Sequence, residues 1–379
     1  MPADNTHHPF RAENDDPVLT WRRYACPPDP MRGEFFRDYT RILHSRAFRR
    51  LRNKTQVFVM PYNDHICTRI EHTLLVCSVA KTICDNLGLN TDLATAIALG
   101  HDIGHAPFGH FGEECLKKVL PGFSHEKHSL LLADRLNSEK SYEHPGLNLT
   151  FAVRDGIACH YGEGSEQSMQ PDRKKTFKDL DIWANLEDKG RPMPVTLEGC
   201  VVRMADRIAY IGRDLEDYLQ LPDAEQSVPE EAKALGQSNR EILGNLVADV
   251  IETSRNHGDS IGMSDGNFAK LKSLYRFSND RIYRHPYVRK YFDRIDRAIP
   301  RLVEYIRVII EDWQKKGVCE AHPKADLWDH RKVLADFLTD DVREWQQGKP
   351  LKLAIWFVAG MTDTYFVRTF NEVFVPEGL

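Results

Sequence analysis

The sequence predicts an all-α protein built as one continuous helical domain. Apolar residues recur at three- and four-residue steps through most of the 379-residue chain, whereas the alternation typical of strands is scarce. Histidines and aspartates that are candidates for a metal site, described below, are spread over several of these predicted helices. This distribution favours one domain over two. No internal repeat is visible in the sequence.

The first thirty residues differ from the rest of the chain because they are polar, rich in proline and almost without periodic apolar positions. We therefore predict a flexible N-terminal arm over residues 1–30 and a single helical domain over residues 31–379. The domain opens with an amphipathic helix over Phe36–Leu51, whose interleaved arginines give it a cationic face.

Four helices are predicted in the first half of the domain. They run from near Glu71 to Leu87, from Asp92 to His101, from Glu113 to Leu120 and from His125 to Leu136. Gly88 ends the first of these helices, and Thr91 or Asp92 provides the N-cap of the second.

The second half begins with a polar stretch, Gly162–Pro194, which predicts a long loop or insertion. Thr196 then starts a helix that runs to about Leu219. Further helices are predicted over Ile242–Ser254, Asn267–Tyr275, Tyr287–Trp313 and Arg331–Trp345. The apolar run Leu353–Val358 is the least certain assignment, because neither the helical period nor strand-like alternation decides its structure.

The composition is that of an ordinary globular protein, with 41% hydrophobic and 28% charged residues. A net charge of -5 argues against a generally basic nucleic-acid binder, although the basic runs Arg46–Lys54 and Arg173–Lys175 are able to meet phosphates. No apolar stretch is long enough for a membrane helix and no signal-peptide pattern is seen, so a cytoplasmic location without membrane contact is expected. The eight cysteines are scattered, and we expect them to be reduced.

A candidate metal site is formed by His72, His101, Asp102 and Asp206. His101 and Asp102 are adjacent near the end of an otherwise apolar helix, and neighbouring helical residues point about 100° apart, so both reach one ion only at a helix end or edge. Imidazoles mixed with carboxylates suit a divalent ion such as Mn, Fe, Co, Ni or Zn, with Mg also open.

A lone His-Asp pair is more often a surface or satisfied core pair than a metal site. The surroundings of this pair differ, because the ten residues His101–His110 contain three histidines together with glycines and a proline. The glycines admit close backbone approach and the proline fixes a turn. Packing alone gives little reason for that composition.

Four ordered motifs resemble the dGTPase family, the HD-domain deoxynucleoside triphosphate triphosphohydrolases. The matching segments are Ser45–Val59, Arg69–His72, His101–Glu113 and Val202–Asp214, with a weaker echo in Arg281–Pro286. The resemblance implies an HD-domain helical fold with additional C-terminal helices, and it places the metal-site core at about residues 36–220. Ala106 stands where relatives often carry proline or glycine, a departure that leaves the candidate ligands intact.

The resemblance also implies residue roles. It assigns proton transfer at the α-phosphate to His105, His110 and Glu113, and substrate binding to Gln56, Arg69, His125, Arg207, Tyr210 and Asp214. The spacing of His110 and Glu113 independently favours a hydrogen-bonded dyad. Two of these residues have an alternative interpretation: His125 as a histidine at a helix N-terminus without a functional role, and Gln56 as a buried amide in a loop. His160–Glu163 is a candidate lining of the pocket, but the interpretation that this segment has no role is favoured.

The implied reaction is hydrolysis of a deoxynucleoside triphosphate, dGTP or another dNTP, to the deoxynucleoside and inorganic triphosphate. The implied assembly is a homo-oligomer, a tetramer or hexamer, and a nucleotide effector and single-stranded nucleic acid are further candidate partners. Two alternatives remain: a phosphohydrolase that acts on another nucleotide, and a regulatory protein that binds nucleic acid through its basic runs. The retained candidates His110 and Glu113 argue against the second as the sole function.

Overall fold

The computed structural model confirms the predicted all-α class. It describes residues 7–59, 65–136, 144–161, 166–185, 190, 192–221, 224, 230–317, 329–339 and 346–376. Within these ranges the β structure consists of an isolated bridge and one two-stranded antiparallel sheet that pairs β1 (Ser168–Met169) with β2 (Ile261–Gly262). No helix among the described residues is long and apolar enough to cross a membrane.

The helices of the first half carry most of the predicted site. They are α1 (Glu34–His44), α2 (Arg46–Arg50), α3 (Arg69–Leu87), α4 (Thr91–Gly100), α5 (Gly109–Val119), α6 (His125–Leu131) and α7 (Phe151–Cys159). A 3-10 turn, Leu51–Asn53, follows α2, and a π-helical turn, Leu132–Leu136, continues α6. Helix α4 is buried along most of its length between α1, α3, α7 and α9.

The helices of the second half complete the core. They are α8 (Phe177–Asn185), α9 (Leu197–Leu219), α10 (Glu230–Lys233), α11 (Asn239–His257), α12 (Asp265–Phe277), α13 (Pro286–Arg289), α14 (Phe292–Lys316), α15 (His330–Thr339), α16 (Pro350–Ala359) and α17 (Asp363–Phe374). A π-helical turn, Ser278–Ile282, continues α12. Helix α3 packs against α9, and α14 packs against α5 and α16.

Several predicted boundaries are wrong, each for a local reason. The single helix predicted over Phe36–Leu51 is broken at Ser45, whose extended backbone ends α1 and whose side chain caps α2 by accepting from the Phe48 N–H at 3.1 Å. The cap of α4 is Asn90, not Thr91 or Asp92. The helix predicted over Tyr287–Trp313 is two helices, α13 and α14.

Two further segments have more regular structure than the sequence indicates. The stretch 162–194, predicted as a long loop or insertion, contains β1 and α8. The run Leu353–Val358, which the sequence leaves unassigned, lies inside helix α16. Helix α5 begins at Gly109, four residues earlier than predicted, so His110 lies in its first turn. The predicted helical residues 340–345 lie outside the described residues.

Residues 7–30 contain no helix or strand but contact the helical body. The Ala12 N–H donates to Glu198 Oε1 at 3.0 Å, and Arg22 Nη1 donates to Asp38 Oδ1 and to the Asn148 carbonyl. Flexibility of the arm stays a prediction. The seven described cysteines form no disulfide.

A glycine allows the α4–α5 connection to pack against α6. A Cβ atom on Gly104 would lie 2.1 Å from the backbone nitrogen of Ser129, whereas a Cβ atom on Gly244 in helix α11 would meet nothing within 4 Å. We expect Gly104→Ala to lower the free energy of unfolding by about 1–3 kcal/mol or more because backbone must move. Gly244→Ala should raise it by about 0.4–1 kcal/mol.

Urea unfolding followed by circular dichroism measures both variants. Equal stability of Gly104→Ala and the wild-type protein would contradict the close packing of this connection against α6.

Candidate functional site

Three of the predicted metal ligands meet where α3, α4 and α9 pack together. His72 lies in the first turn of α3, His101 ends α4, and Asp206 lies within α9. His72 Nε2 lies 3.0 Å from Asp206 Oδ1, and His101 Nε2 lies 3.9 Å from the same oxygen. Their ligand atoms lie within 4.8 Å of one another, and all three side chains are buried. This group is called the metal-ligand cluster below.

The His101 ring is oriented as a metal ligand requires. Its Nδ1 lies 2.6 Å from the Ala98 carbonyl, which can only accept, so Nδ1 carries the proton. Its Nε2 is buried and finds no hydrogen-bond partner among the described residues. Burial lowers the pKa of His101 to about 4, which keeps the ring neutral. The nitrogen and oxygen donors of this cluster therefore fit a divalent metal ion.

Asp102 lies between this cluster and a second group of histidines. Its Oδ2 lies 3.7 Å from His101 Nε2 and forms an ion pair with Arg69, while its Oδ1 lies 3.9 Å from the Nε2 atoms of both His125 and His160. Burial opposes its charge, but Arg69 and His101 hold the pKa of this carboxyl well below its usual value. Asp102 thus stays ionised and available to a metal.

The three predicted catalytic residues lie together beside Asp102. The ligand atoms of His105, His110 and Glu113 lie within 4.8 Å of one another, and the His105 and His110 rings meet edge to face at 5.0 Å. His105 stacks on His125 at 4.5 Å, and neither ring nitrogen of His105 finds a partner among the described residues. His105, His110 and Glu113 are called the acid–base cluster below.

Glu113 pairs with residues that its spacing did not suggest, and its dyad with His110 stays a prediction. Its Oε2 accepts a hydrogen bond from His125 Nδ1 at 2.7 Å, and its Oε1 pairs with Lys117. Burial opposes the charged form of His125, but Glu126 and Glu113 outweigh it and raise the pKa of His125 to about 10. His125 therefore carries a positive charge at neutral pH.

A cavity of about 580 Å³ joins the two clusters. It is lined by every predicted site residue except His101, whose Nε2 faces the carboxylates at its base. Several buried polar atoms find no partner among the described residues, namely Gln56 Oε1, Arg69 Nε and Nη2, Arg207 Nε and Asp214 Oδ1. Such atoms are costly to leave unpaired, so they favour a polar ligand in the cavity.

Four polar residues of α9 form one wall of the cavity together with α12, and they are called the polar face of α9 below: Asp206, Arg207, Tyr210 and Asp214. Arg207 Nη1 donates to the Glu166 carbonyl at 2.7 Å. Asp214 Oδ2 accepts from the Tyr283 hydroxyl at 2.7 Å. Burial raises the pKa of Asp214 to about 7.

Sequence reasoning missed two groups that line the cavity. His160, for which no role was favoured, is buried and its Nε2 lies 3.0 Å from His125 Nε2. The second group lies on α12 and the π-helical turn and consists of Phe268, Lys272, Tyr275, Arg276, Asn279 and Tyr283. The weak motif echo in Arg281–Pro286 is the local sequence signal for this region.

Each basic run has one lysine bound inside the protein, whereas Arg46, Arg49, Arg52, Arg173 and Lys174 are exposed. Lys54 is 1% exposed and donates to the carbonyls of His105 and Ala359. Lys175 pairs with the buried Asp155, and the Arg173 guanidinium lies over the Phe10 ring at 4.2 Å. Both runs therefore combine an internal lysine with exposed cations, and contact of the runs with phosphates stays a prediction.

The comparisons with known proteins agree with this geometry. Residues 69–211 match the HD domain, a span that runs from α3 to α9. The chain is 37% identical to a deoxyguanosinetriphosphate triphosphohydrolase-like protein of Desulfatibacillum aliphaticivorans over 93% of this chain and 94% of that protein. The chain belongs to this dGTPase-like family.

Two further relatives with the same name support membership of the dGTPase-like family. The protein of Caldanaerobacter subterraneus subsp. tengcongensis is 33% identical over 91% of this chain and 86% of its own length. That of Ralstonia pickettii is 30% identical over 94% of this chain and 92% of its own length. Each match covers more than nine-tenths of this chain, so the family resemblance extends beyond the HD domain.

The metal-ligand cluster gives a direct prediction. We expect Asp206→Ala to remove bound metal, because His72 and His101 lose the carboxylate that they share. Elemental analysis of the purified protein measures metal content, and circular dichroism should show near wild-type helicity.

Glu216→Ala is the matched control on the same helix, since Glu216 lies outside the cavity and pairs with Arg213. It should retain its metal. Full metal occupancy in Asp206→Ala would show that the ligand assignment is wrong.

Proposed function

We propose that this protein hydrolyses deoxynucleoside triphosphates to the deoxynucleoside and inorganic triphosphate, with a divalent metal held by His72, His101, Asp102 and Asp206. One observation carries the proposal: a single cavity joins the metal-ligand cluster, the acid–base cluster and the polar face of α9. Family membership supports the same activity, since the relatives bear the name of a deoxyguanosinetriphosphate triphosphohydrolase-like protein.

Cleavage of a phosphate ester requires that charge on the phosphoryl oxygens be offset. Arg69 lines the cavity beside Asp102 and has unpaired Nε and Nη2 groups, and Arg207 adds an unpaired Nε from α9. His125 also lines the cavity and, since it stays charged, adds a third positive charge, although both of its N–H groups are bound to Glu113 and His160. When bound, the metal ion would act as a Lewis acid on a phosphate oxygen.

The acid–base cluster provides the proton transfers. In the proposed reaction a water oxygen bonds to the α-phosphorus, the bond from phosphorus to the 5′ oxygen breaks, and that oxygen receives a proton. His110 lies at the start of α5 on the cavity wall and is our candidate for this transfer, with His105 beside it. His125 is held charged by Glu113 and Glu126, so we assign it to phosphate binding and not to proton exchange.

The remaining cavity walls support a nucleoside. Gln56, Tyr210 and Asp214 offer an amide, a hydroxyl and a carboxyl group to a sugar. Phe268, Tyr275 and Tyr283 add aromatic surface against which a base can stack, and they lie in the C-terminal half of the chain. An HD phosphohydrolase for another nucleotide would keep the same metal ligands, and the substrate assay decides between the two activities.

One experiment separates these activities. The metal-loaded protein is incubated with each dNTP, NTP and dNMP, and the phosphate product is identified by anion-exchange chromatography. We expect inorganic triphosphate from one or more dNTPs. If no dNTP releases inorganic triphosphate, with or without added activating nucleotides, the proposed function is wrong.

His110→Ala provides the control for the chemistry. Because His110 is outside the metal-ligand cluster, the variant should retain its metal but lose about 100- to 10,000-fold in kcat, the usual contribution of a general acid–base group. Wild-type turnover by this variant would remove His110 from the mechanism.

A further inference from the structure

A buried aspartate at the start of the last helix holds the two loops that border the active site. Asp363 is 4% exposed and lies in the first turn of α17. Its Oδ1 accepts from the Phe108 N–H at 2.9 Å, and its Oδ2 accepts from the Thr55 N–H at 2.9 Å and from the Thr55 hydroxyl. Three donors from two loops therefore converge on one carboxylate.

Lys54 strengthens the same connection from the opposite direction. Its ammonium group donates to the His105 carbonyl and to the Ala359 carbonyl at the end of α16. The Lys54 carbonyl in turn accepts from the Arg69 N–H at 3.2 Å, at the first residue of α3. The α16–α17 junction is thus tied to the segments that carry Gln56, Arg69 and His105.

The loop that Asp363 holds adopts an unfavourable backbone conformation. Phe108 has φ +64° and ψ +23°, the left-handed region that side chains other than glycine rarely occupy. Gly109 follows with φ +63°, so two successive left-handed residues reverse the chain between His105 and His110. A conformation of this kind persists only where its surroundings hold it. Here the Phe108 N–H is bound to Asp363 and its ring packs edge to face on Phe366 at 5.1 Å.

We propose that Asp363 is a positioning residue for the reaction: through the backbone of Thr55 and Phe108 it fixes Gln56 and His110 relative to the metal-ligand cluster. Asp363 does not line the cavity, so it acts only through these loops. The inference rests on the proposed function for its effect on turnover. Its structural part, the restraint of the two loops, is measurable without any substrate.

The test substitutes Asp363→Asn in the full-length metal-loaded protein. An asparagine presents one accepting oxygen and one donating NH₂ group, so it cannot accept from all three donors. We expect faster hydrogen–deuterium exchange at the amides of Thr55 and Phe108. We also expect kcat to fall about 10- to 100-fold, as misplacement of a catalytic group by about 1 Å does, with bound metal retained and little change in KM.

Asp38→Asn is the matched control. Asp38 is also fully buried, and its Oδ2 accepts from both the N–H and the hydroxyl of Thr150, each at 2.7 Å, outside the cavity lining. Asp38→Asn should therefore destabilise the protein without displacing the active-site loops. We expect a lower Tm and a kcat close to that of the wild-type protein. This control separates the general cost of losing a buried carboxylate from the effect on the active-site loops.

A milder pair of variants keeps the inference testable if Asp363→Asn does not fold. Thr55→Val removes only the hydroxyl donor and should lower kcat in the same direction, while Thr55→Ser retains both donors and should restore it. Unchanged amide exchange in the variants that lose a donor, or faster exchange with wild-type kcat, would overturn the inference. Failure of the wild-type protein to release triphosphate would instead overturn the proposed function, and the exchange data would still decide whether Asp363 restrains the loops.

Discussion

The site depends on buried charges that compensate one another. A lone carboxylate or imidazolium in a protein interior is strongly unfavourable, and it becomes stable only with close partners of opposite charge. Asp102 has Arg69 and the surrounding histidines, while His125 has Glu113 and Glu126. Because each charge stabilises its neighbours, the two clusters form one electrostatic unit.

A backbone constraint accompanies this electrostatic one. Only three positions along the chain separate Asp102, beside the metal-ligand cluster, from His105 in the acid–base cluster. The segment between α4 and α5 must therefore turn sharply while it remains in the core. Gly104 permits contact with the backbone of α6, and Gly109, with its φ of +63°, completes the reversal. Helix α17 enters this arrangement through Asp363, so a segment distant in sequence from the HD domain contributes to the geometry of the site.

The sequence predicted the class of fold and the positions of most site helices because apolar period and caps are local signals. It missed the break at Ser45, since the apolar period continues across it, and it missed the early start of α5, which follows from two left-handed residues. The pairing of Glu113 with His125 was not predicted, because the two residues lie on different helices and no local spacing links them. His160 has a feature that is visible in the sequence, since it follows a largely apolar segment, as His101 does. The structure shows a second likeness: in both residues Nδ1 lies 2.6 Å from the carbonyl three residues earlier.

The central claim is that the metal ion occupies the cluster formed at α3, α4 and α9 and not the neighbouring group of His125, Glu113 and Glu126, whose ligand atoms lie equally close together. Anomalous diffraction from crystals grown with Mn²⁺ tests it most directly. The account predicts a peak within bonding distance of His72, His101, Asp102 and Asp206. A peak at Glu113, His125 and Glu126, with none at the first cluster, would contradict it.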